Sequence, residues 1–289
     1  MNKKIKLGVI FPNNAIQKKA NKSQFLDLKR NLNNFTVKKY HFNKNGRAEM
    51  AKDFMLGDLN VVLKNGYGRM HEAEMEIFLD ENKIPYFGAG TSATLNGTSK
   101  ILAKKIFLKN GLPLAKDVIL NKSISTKSNE KEIKKIGSQI GYPLLVKDDA
   151  GTDSKGIFFA KDEEELRKIL KKIVRDNKIY IIEEFIVNNV EATVMVVGNE
   201  KPIAYEPVEL IKEKSYISNS DKCKFNLSFK IPSNLSKKII TKIKKVAVEA
   251  HNVIECKTFS RVDILILSAR FKGESANDLF LKFYKSLKK

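Results

Sequence analysis

The 289-residue sequence holds only two cysteines, Cys223 and Cys256, and three histidines, His41, His71 and His251. The cysteines lie far apart with no histidine at ligand spacing, which excludes a disulfide framework or a sequence-local zinc site and predicts free thiols in a reducing compartment. The histidines form no catalytic pattern and read as surface or satisfied interior residues. No run approaches the roughly 18 to 20 consecutive apolar positions that a membrane-spanning helix needs. The basic-then-apolar opening MNKKIKLGVIF does not continue as a secretory signal either. Pro12, Asn13 and Asn14 stop it, and no small-residue cleavage site follows. A cytoplasmic protein is expected, with that opening as its first strand. No glycine-lysine-serine or glycine-lysine-threonine triplet opens a helix, and no GxGxxG follows residues 4–11, so the Walker and dinucleotide fingerprints are both missing.

What is abundant is lysine, which carries most of a net charge of +21. Clustered positive charge binds nucleic acid by releasing counterions. Here it is scattered over helical stretches such as LKKIVRDNK and LSKKIITKIKKV, with no RNA-binding aromatic signature and no helix-turn-helix pattern. It reads as a solvated surface, and neither nucleic acid nor membrane is expected as a partner. A hydrophobic share of 42% over this length supports a large core divided among subdomains.

The patterning alternates strand and helix through the first third. KIKLGVIF, TVKKYHF, LNVVLKNG and IPYFGAG read as strands, with helical stretches at 15–32 and 71–82, the order of a parallel α/β domain. Thr98 is expected to open a helix through SKILAKKIFLKN, closed by Gly111 and Pro113. Further on, EATVMVVGNEKPIAYEPVEL reads as two strands turning at Gly198 and Asn199. A helix over 236–254 shows apolar residues at helical spacing, SRVDILIL is a strand, and 275–287 a last helix.

The segment GYPLLVKDDAGTDSKGI, residues 141–157, carries the most chemistry. An apolar strand ends in Lys147, whose ammonium is expected to project from the sheet end. Gly151 and Gly156 then let the backbone turn, while Thr152, Ser154 and the intervening amides can donate to phosphate oxygens. Phe158 and Phe159 resume the strand. On its own this is a phosphate loop or an ordinary hairpin.

With these elements in order, the chain resembles the D-alanine–D-alanine ligases of the ATP-grasp superfamily. The likeness rests on IPYFGAGTSAT, TSKILAKKIFLKNGLP, GYPLLVKDDAGTDSKGI, IIEEFI with Glu191 in NVEATV, and PSNLS through CKTFSRVDILI. It implies an ATP-grasp fold behind a parallel, Rossmann-like α/β N-terminal domain: residues 1–92, a central subdomain at 93–186, and a C-terminal subdomain at 187–289 that is shortened after Leu267. By the same resemblance, ATP phosphates would meet Lys100, Lys147, Ser154 and Lys222. Glu183 would accept from the adenine amino group, and Glu184, Phe185 and Ile186 would line the base. Glu191 would bind the ribose, Arg261 would stabilise developing oxygen charge, and Asp263 would bind magnesium. The implied activity joins two D-alanines, or another amino acid, through an acyl phosphate for cell-wall precursors, with a homodimer as the assembly. Such chemistry needs cations and an in-line approach more than a protein nucleophile.

Departures from the family pattern gather at the reacting end. ILILSARFKGES passes straight to the last helix, where the family has a second strand with the remaining magnesium ligands, so the metal site is incomplete. Glu274 and Asn277 stand nearby at the wrong spacing. FPNNAIQKKANK offers no acid for the substrate ammonium, RMHEAEM offers Glu72 as a partial substitute, and Asp153 and Cys223 replace a loop serine and tyrosine. The alternative to a working ligase is therefore a nucleotide-binding homologue with impaired catalysis.

Overall fold

The computed structural model describes residues 4–11, 18–64, 69–120, 130–151, 156–173, 177–187, 189–211, 228–231 and 233–267. They form two compact units, one of residues 1–95 with 255–260, the other of 96–254 with 261–289.

The first unit is a parallel sheet in the order β2-β1-β3-β4, built from β1 (Ile5–Phe11), β2 (Phe35–His41), β3 (Val61–Lys64) and β4 (Tyr86–Phe87). Helices α1 (Lys18–Asn31), α2 (Lys44–Met55) and α3 (Arg69–Glu81) connect them. Central β1 is apolar on both faces, as a covered parallel strand must be. Ile10 packs with Tyr40, Met50 and Leu79 in one cluster, and Leu7, Val9 and Phe11 pack in another. Helix α2 was not expected: KNGRAEMAKDFM buries only Gly46 and Met50, too narrow an apolar stripe to read. Its start is fixed by Asn43, whose side chain accepts from the Gly46 amide at 2.8 Å. Cys256, in this unit, is a free thiol pushed up to about 11 by burial and by Glu76, against a hydrogen bond with Ser260. It is therefore a poor nucleophile at neutral pH.

In the second unit, Ser99 rather than Thr98 opens the expected helix. The Ser99 side chain accepts from Leu102 N at 3.0 Å to start α5 (Lys100–Lys109), and a separate short helix, α4 (Thr91–Thr98), precedes it. An antiparallel sheet follows in the order β5-β8-β6-β7: β5 (Asp117–Leu120), β6 (Leu144–Asp148), β7 (Ile157–Ala160) and β8 (Tyr180–Glu184). Helices α6 (Glu130–Ile140) and α7 (Glu163–Ile173) cover one face. There Ile133, Ile136, Leu166 and Leu170 pack on Leu144, Val146 and Ile182. Strand alternation then sends Lys147 and Glu183 to the opposite face. Leu144→Ala in this core would cost about 2–5 kcal/mol.

A second antiparallel sheet joins β10-β9-β11-β12, with β13 also paired to β9: β9 (Asn189–Val197), β10 (Ile203–Ala204), β11 (Val208–Ile211), β12 (Ser228–Lys230) and β13 (Phe259–Leu267). Where two strands were expected after residue 190 there are three, because the turn at Gly198 returns only the short β10 before β11 begins. Helix α8 (Lys237–Val253) lays Ile243 and Ala247 on Ala192, Val194, Val196 and Ile266. The last expected helix, at 275–287, lies outside the described residues.

Candidate nucleotide site

The uncovered face of the β5-β8-β6-β7 sheet carries a row of charge. Antiparallel register sets Asp117 and Leu145 opposite Glu183 on either side, with Lys147 two positions beyond Leu145 on the same face. Glu183 is only 8% exposed, so its charge has to be matched locally. Lys147 Nζ donates to its Oε2, and Lys104 Nζ reaches Oε1 at 2.9 Å. Lys104 also lies 3.0 Å from Asp117 Oδ1 and donates to Ala115 O at 3.0 Å. Burial pulls the Glu183 carboxyl upward, but Lys147 and Lys104 outweigh it and hold the group below the usual glutamate range. The site thus keeps a buried carboxylate ionised.

Lys104 was not singled out from the sequence. Its one local signal is its position four residues after Lys100, on the same helix face. Ala103 and Phe107 share that face, and all four line a cavity of about 400 Å³ with Lys147, Glu183 and Ile186. Pro113 and Leu114, Ile243 and Val246 of α8, and Asp263 and Leu265 of β13 complete its mainly apolar wall. Apolar walls with a few convergent polar groups are the usual form of a small-molecule site.

The start of the glycine loop is held from α5. Lys100 Nζ donates to the carbonyls of Asp148 at 2.8 Å, Asp149 at 2.9 Å and Gly151 at 2.8 Å. In return, Asp149 accepts from Ser99 Oγ and from Ile101 N, both at 2.8 Å, placing its charge at the helix N-terminus. At the other end Gly156 has φ +72°, and a Cβ there would sit 2.8 Å from the Cβ of Asp148. Only glycine fits that turn.

The remaining expected residues are spread around this centre. Glu184 is half-buried and accepts from Lys116 N at 3.0 Å. Phe185 stands edge-on to Phe159, ring centres 5.1 Å apart. Ile186 lines the cavity, and Glu191 lies on β9 opposite Leu210. Arg261 and Asp263 face the same way on β13, with Nε and Oδ1 3.5 Å apart, and Thr193 donates to Asp263. Ser154 and Lys222, with Thr152, Asp153 and Cys223, lie outside the described residues.

Among the described residues no group of three His, Cys, Asp or Glu side chains could hold a metal ion, and Asp263 is the one expected ligand in view. One exposed carboxylate engaged by Arg261 and Thr193 is only part of a magnesium site, which would need phosphate oxygens to complete it. A nucleotide is a different matter. An apolar slot holding a buried acceptor, Glu183, and a cation, Lys147, has the donor and acceptor set that a base and its phosphates require.

Comparison with known proteins bears on the same segment. A family model described as the D-Ala–D-Ala ligase C-terminus matches residues 106–272, more than half of the chain. The chain belongs to the D-alanine–D-alanine ligase family. It is 33% identical over 184 residues to the D-alanine–D-alanine ligase of Acetivibrio thermocellus, covering 63% of this chain and 49% of that protein. The corresponding ligase of Natranaerobius thermophilus is 31% identical over 207 residues, 71% of this chain and 56% of that protein. The chain thus spans about half the length of these curated relatives in the matched regions. Among solved structures, the VanG D-Ala:D-Ser ligase of Enterococcus faecalis superposes with a TM-score of 0.69 at 19% identity, covering 91% of this chain and 87% of that one. The Bacillus anthracis D-alanine–D-alanine ligase complexed with ATP gives 0.67 at 18% identity over 98% of this chain and 95% of that one. The fold is the ATP-grasp fold behind a parallel α/β N-terminal region, as the sequence led us to expect. No helix of the described residues is long and apolar enough to cross a membrane.

Proposed function

We propose that this family member is an ATP-dependent carboxylate–amine ligase that joins two D-alanines, or a D-alanine and a second amino acid, into a dipeptide for cell-wall precursors. Support comes above all from Glu183, a buried carboxylate bracketed by Lys104 and Lys147 in an apolar cavity of a family member. In this reading Glu183 accepts from the adenine 6-amino group, Ile186 with the backbone at Glu184 and Phe185 lines the base, and Glu191 takes the ribose hydroxyls. Lys147, Ser154, the loop amides and Lys222 meet the phosphates. Lys100 serves them indirectly, since its ammonium already holds the carbonyls of Asp148, Asp149 and Gly151 at the start of the loop. Arg261 offsets oxygen charge as the substrate carboxylate takes up the phosphoryl group and the second amine displaces phosphate.

Asp263 would give magnesium its one protein carboxylate. The domain boundaries at 92 and 186, a cytoplasmic location and a homodimer belong to the same proposal. The test is to incubate pure protein with Mg-ATP and D-alanine and to follow ADP and dipeptide together. D-alanine-dependent release of both is expected. Nucleotide binding without dipeptide would instead point to a homologue that has kept the pocket and lost the reaction.

A further inference from the structure

Glu183 has two ammonium partners of unlike kind. Lys104 is held by Glu183 Oε1, Asp117 Oδ1 and Ala115 O, and its side chain is 13% exposed. Two hydrogen bonds and an ion pair thus hold the ammonium on three sides. Lys147 is paired, among the described residues, with Glu183 Oε2 alone, and it lines the cavity. One lysine is fixed and the other is free to change partners.

Resting on the nucleotide reading above, we propose that Lys104 is a positioning residue that selects adenine over guanine by keeping Glu183 an acceptor-only carboxylate after Lys147 has moved to the phosphates. An ionised carboxylate has lone pairs and no hydrogen to donate. The 6-amino group of adenine can donate to it, whereas the 6-oxo group of guanine would set acceptor against acceptor. A buried carboxylate that loses its last cation takes up a proton, and the resulting carboxyl can donate to the guanine oxygen. Selection therefore requires a counter-ion that stays. Lys147 is the wrong candidate, because triphosphate oxygens compete for it. Lys104 is anchored by Asp117, which faces Glu183 from the neighbouring strand and would repel it without the ammonium between them. The other charged groups facing the cavity are Lys100 on α5 and Asp263 on β13. Lys100 is directed at the loop carbonyls, and Asp263 is engaged by Thr193 and Arg261.

The test measures equilibrium binding of non-hydrolysable ATP and GTP analogues to the full chain by calorimetry across neutral pH. The unsubstituted protein should favour the adenine analogue by about tenfold or more, with little pH dependence. Lys104→Met should narrow the adenine-to-guanine ratio by about tenfold, the scale of one hydrogen bond to a charged group. Its adenine affinity should also fall as pH is lowered, because a Glu183 carboxyl without its fixed counter-ion takes up a proton more readily. Lys104→Gln keeps donors to Glu183 and Asp117 without the charge and should behave the same way. It carries the test if the methionine variant does not fold. Lys104→Arg should keep both the ratio and the flat profile, whereas a purely structural role would weaken both analogues equally. An unaltered ratio and flat pH profile in the uncharged variants, or equal affinity of the unsubstituted protein for the two bases, overturns the inference alone. An unsubstituted protein that binds neither analogue overturns the nucleotide reading and this inference together.

Discussion

Each compact unit buries a glutamate beside lysine, and the two carboxylates are wired differently. Glu183 in the second unit has a lysine on each oxygen, and both lysines border a cavity. Glu76 in the first unit is 0% exposed and has one lysine, Lys64, at the end of β3. Its Oε1 accepts from Lys64 and from Gly90 N at 3.1 Å, while Oε2 has no hydrogen-bond partner among the described residues. Gly88 closes over this pair, and a Cβ there would lie 2.2 Å from Lys64 Cε. In the proposed reading, a doubly matched carboxylate with an exchangeable partner serves ligand traffic. A singly matched one sealed by glycine acts as a lock on the turn after β4. Burial alone therefore does not mark a functional carboxylate here, and the number and mobility of its counter-ions do.

The comparison breaks most readily at the lock. Lys64→Met would strand Glu76 with no cation and should cost about 3–5 kcal/mol in denaturant unfolding. Converting both residues together, Lys64→Met with Glu76→Met, should recover most of that loss, since an apolar pair of similar volume replaces a buried ion pair at little net cost. A double variant as unstable as the single one would mean that the pair has a role beyond neutralising itself.

Glu183→Gln is expected to cost less, about 1–3 kcal/mol, because each lysine keeps an amide partner or other oxygens. It should nevertheless abolish nucleotide-induced thermal stabilisation where Lys64→Met with Glu76→Met does not. Equal effects of the two would erase the distinction between lock and site.

Acid titration sharpens the contrast further. Because Glu183 is held below its unfolded value, its contribution is complete above about pH 4.3 and fades as pH falls through its folded pKa. Glu183→Gln should remove that portion of the acid destabilisation, read as the pH dependence of the denaturant midpoint.

The smallest effect is expected at His251, which is fully buried on α8 and donates from Nε2 to Gly198 O at 3.1 Å. Burial lowers its pKa against that hydrogen bond, so it folds neutral. Its share of stability is whole above about pH 6.5 and drains away as pH falls toward the lowered value. His251→Gln should flatten stability between those limits by less than about 1 kcal/mol.

Much of this was legible in the chain because strand alternation is a local signal. LLVKD and YIIEE carry that alternation and set Lys147 and Glu183 on one face; the sequence named both residues through the family resemblance but did not pair them. Lys104 was not legible. It sits among the lysines of KILAKKIFLK, and Glu183, which singles it out, lies 79 residues away. The same holds for Lys64 and Glu76. The acid of RMHEAEM that attracted notice was Glu72, yet α3 turns Glu76 inward. Helix α2 was missed for a different reason, since its stability comes from a cap and a single buried methionine.

The charges around Glu183 come from positions 104, 117, 147 and 183, and no two of them belong to the same secondary-structure element. The full set of contacts needs β5 and β6 both paired with β8, a long-range closure of the sort that slows folding. In the proposed nucleotide reading, base recognition is then a property of the finished sheet and of nothing smaller. A nascent or partly refolded chain can hold its helices, its glycine turn and every one of these lysines and still be blind to nucleotide. The onset of binding during refolding would time the last strand into place.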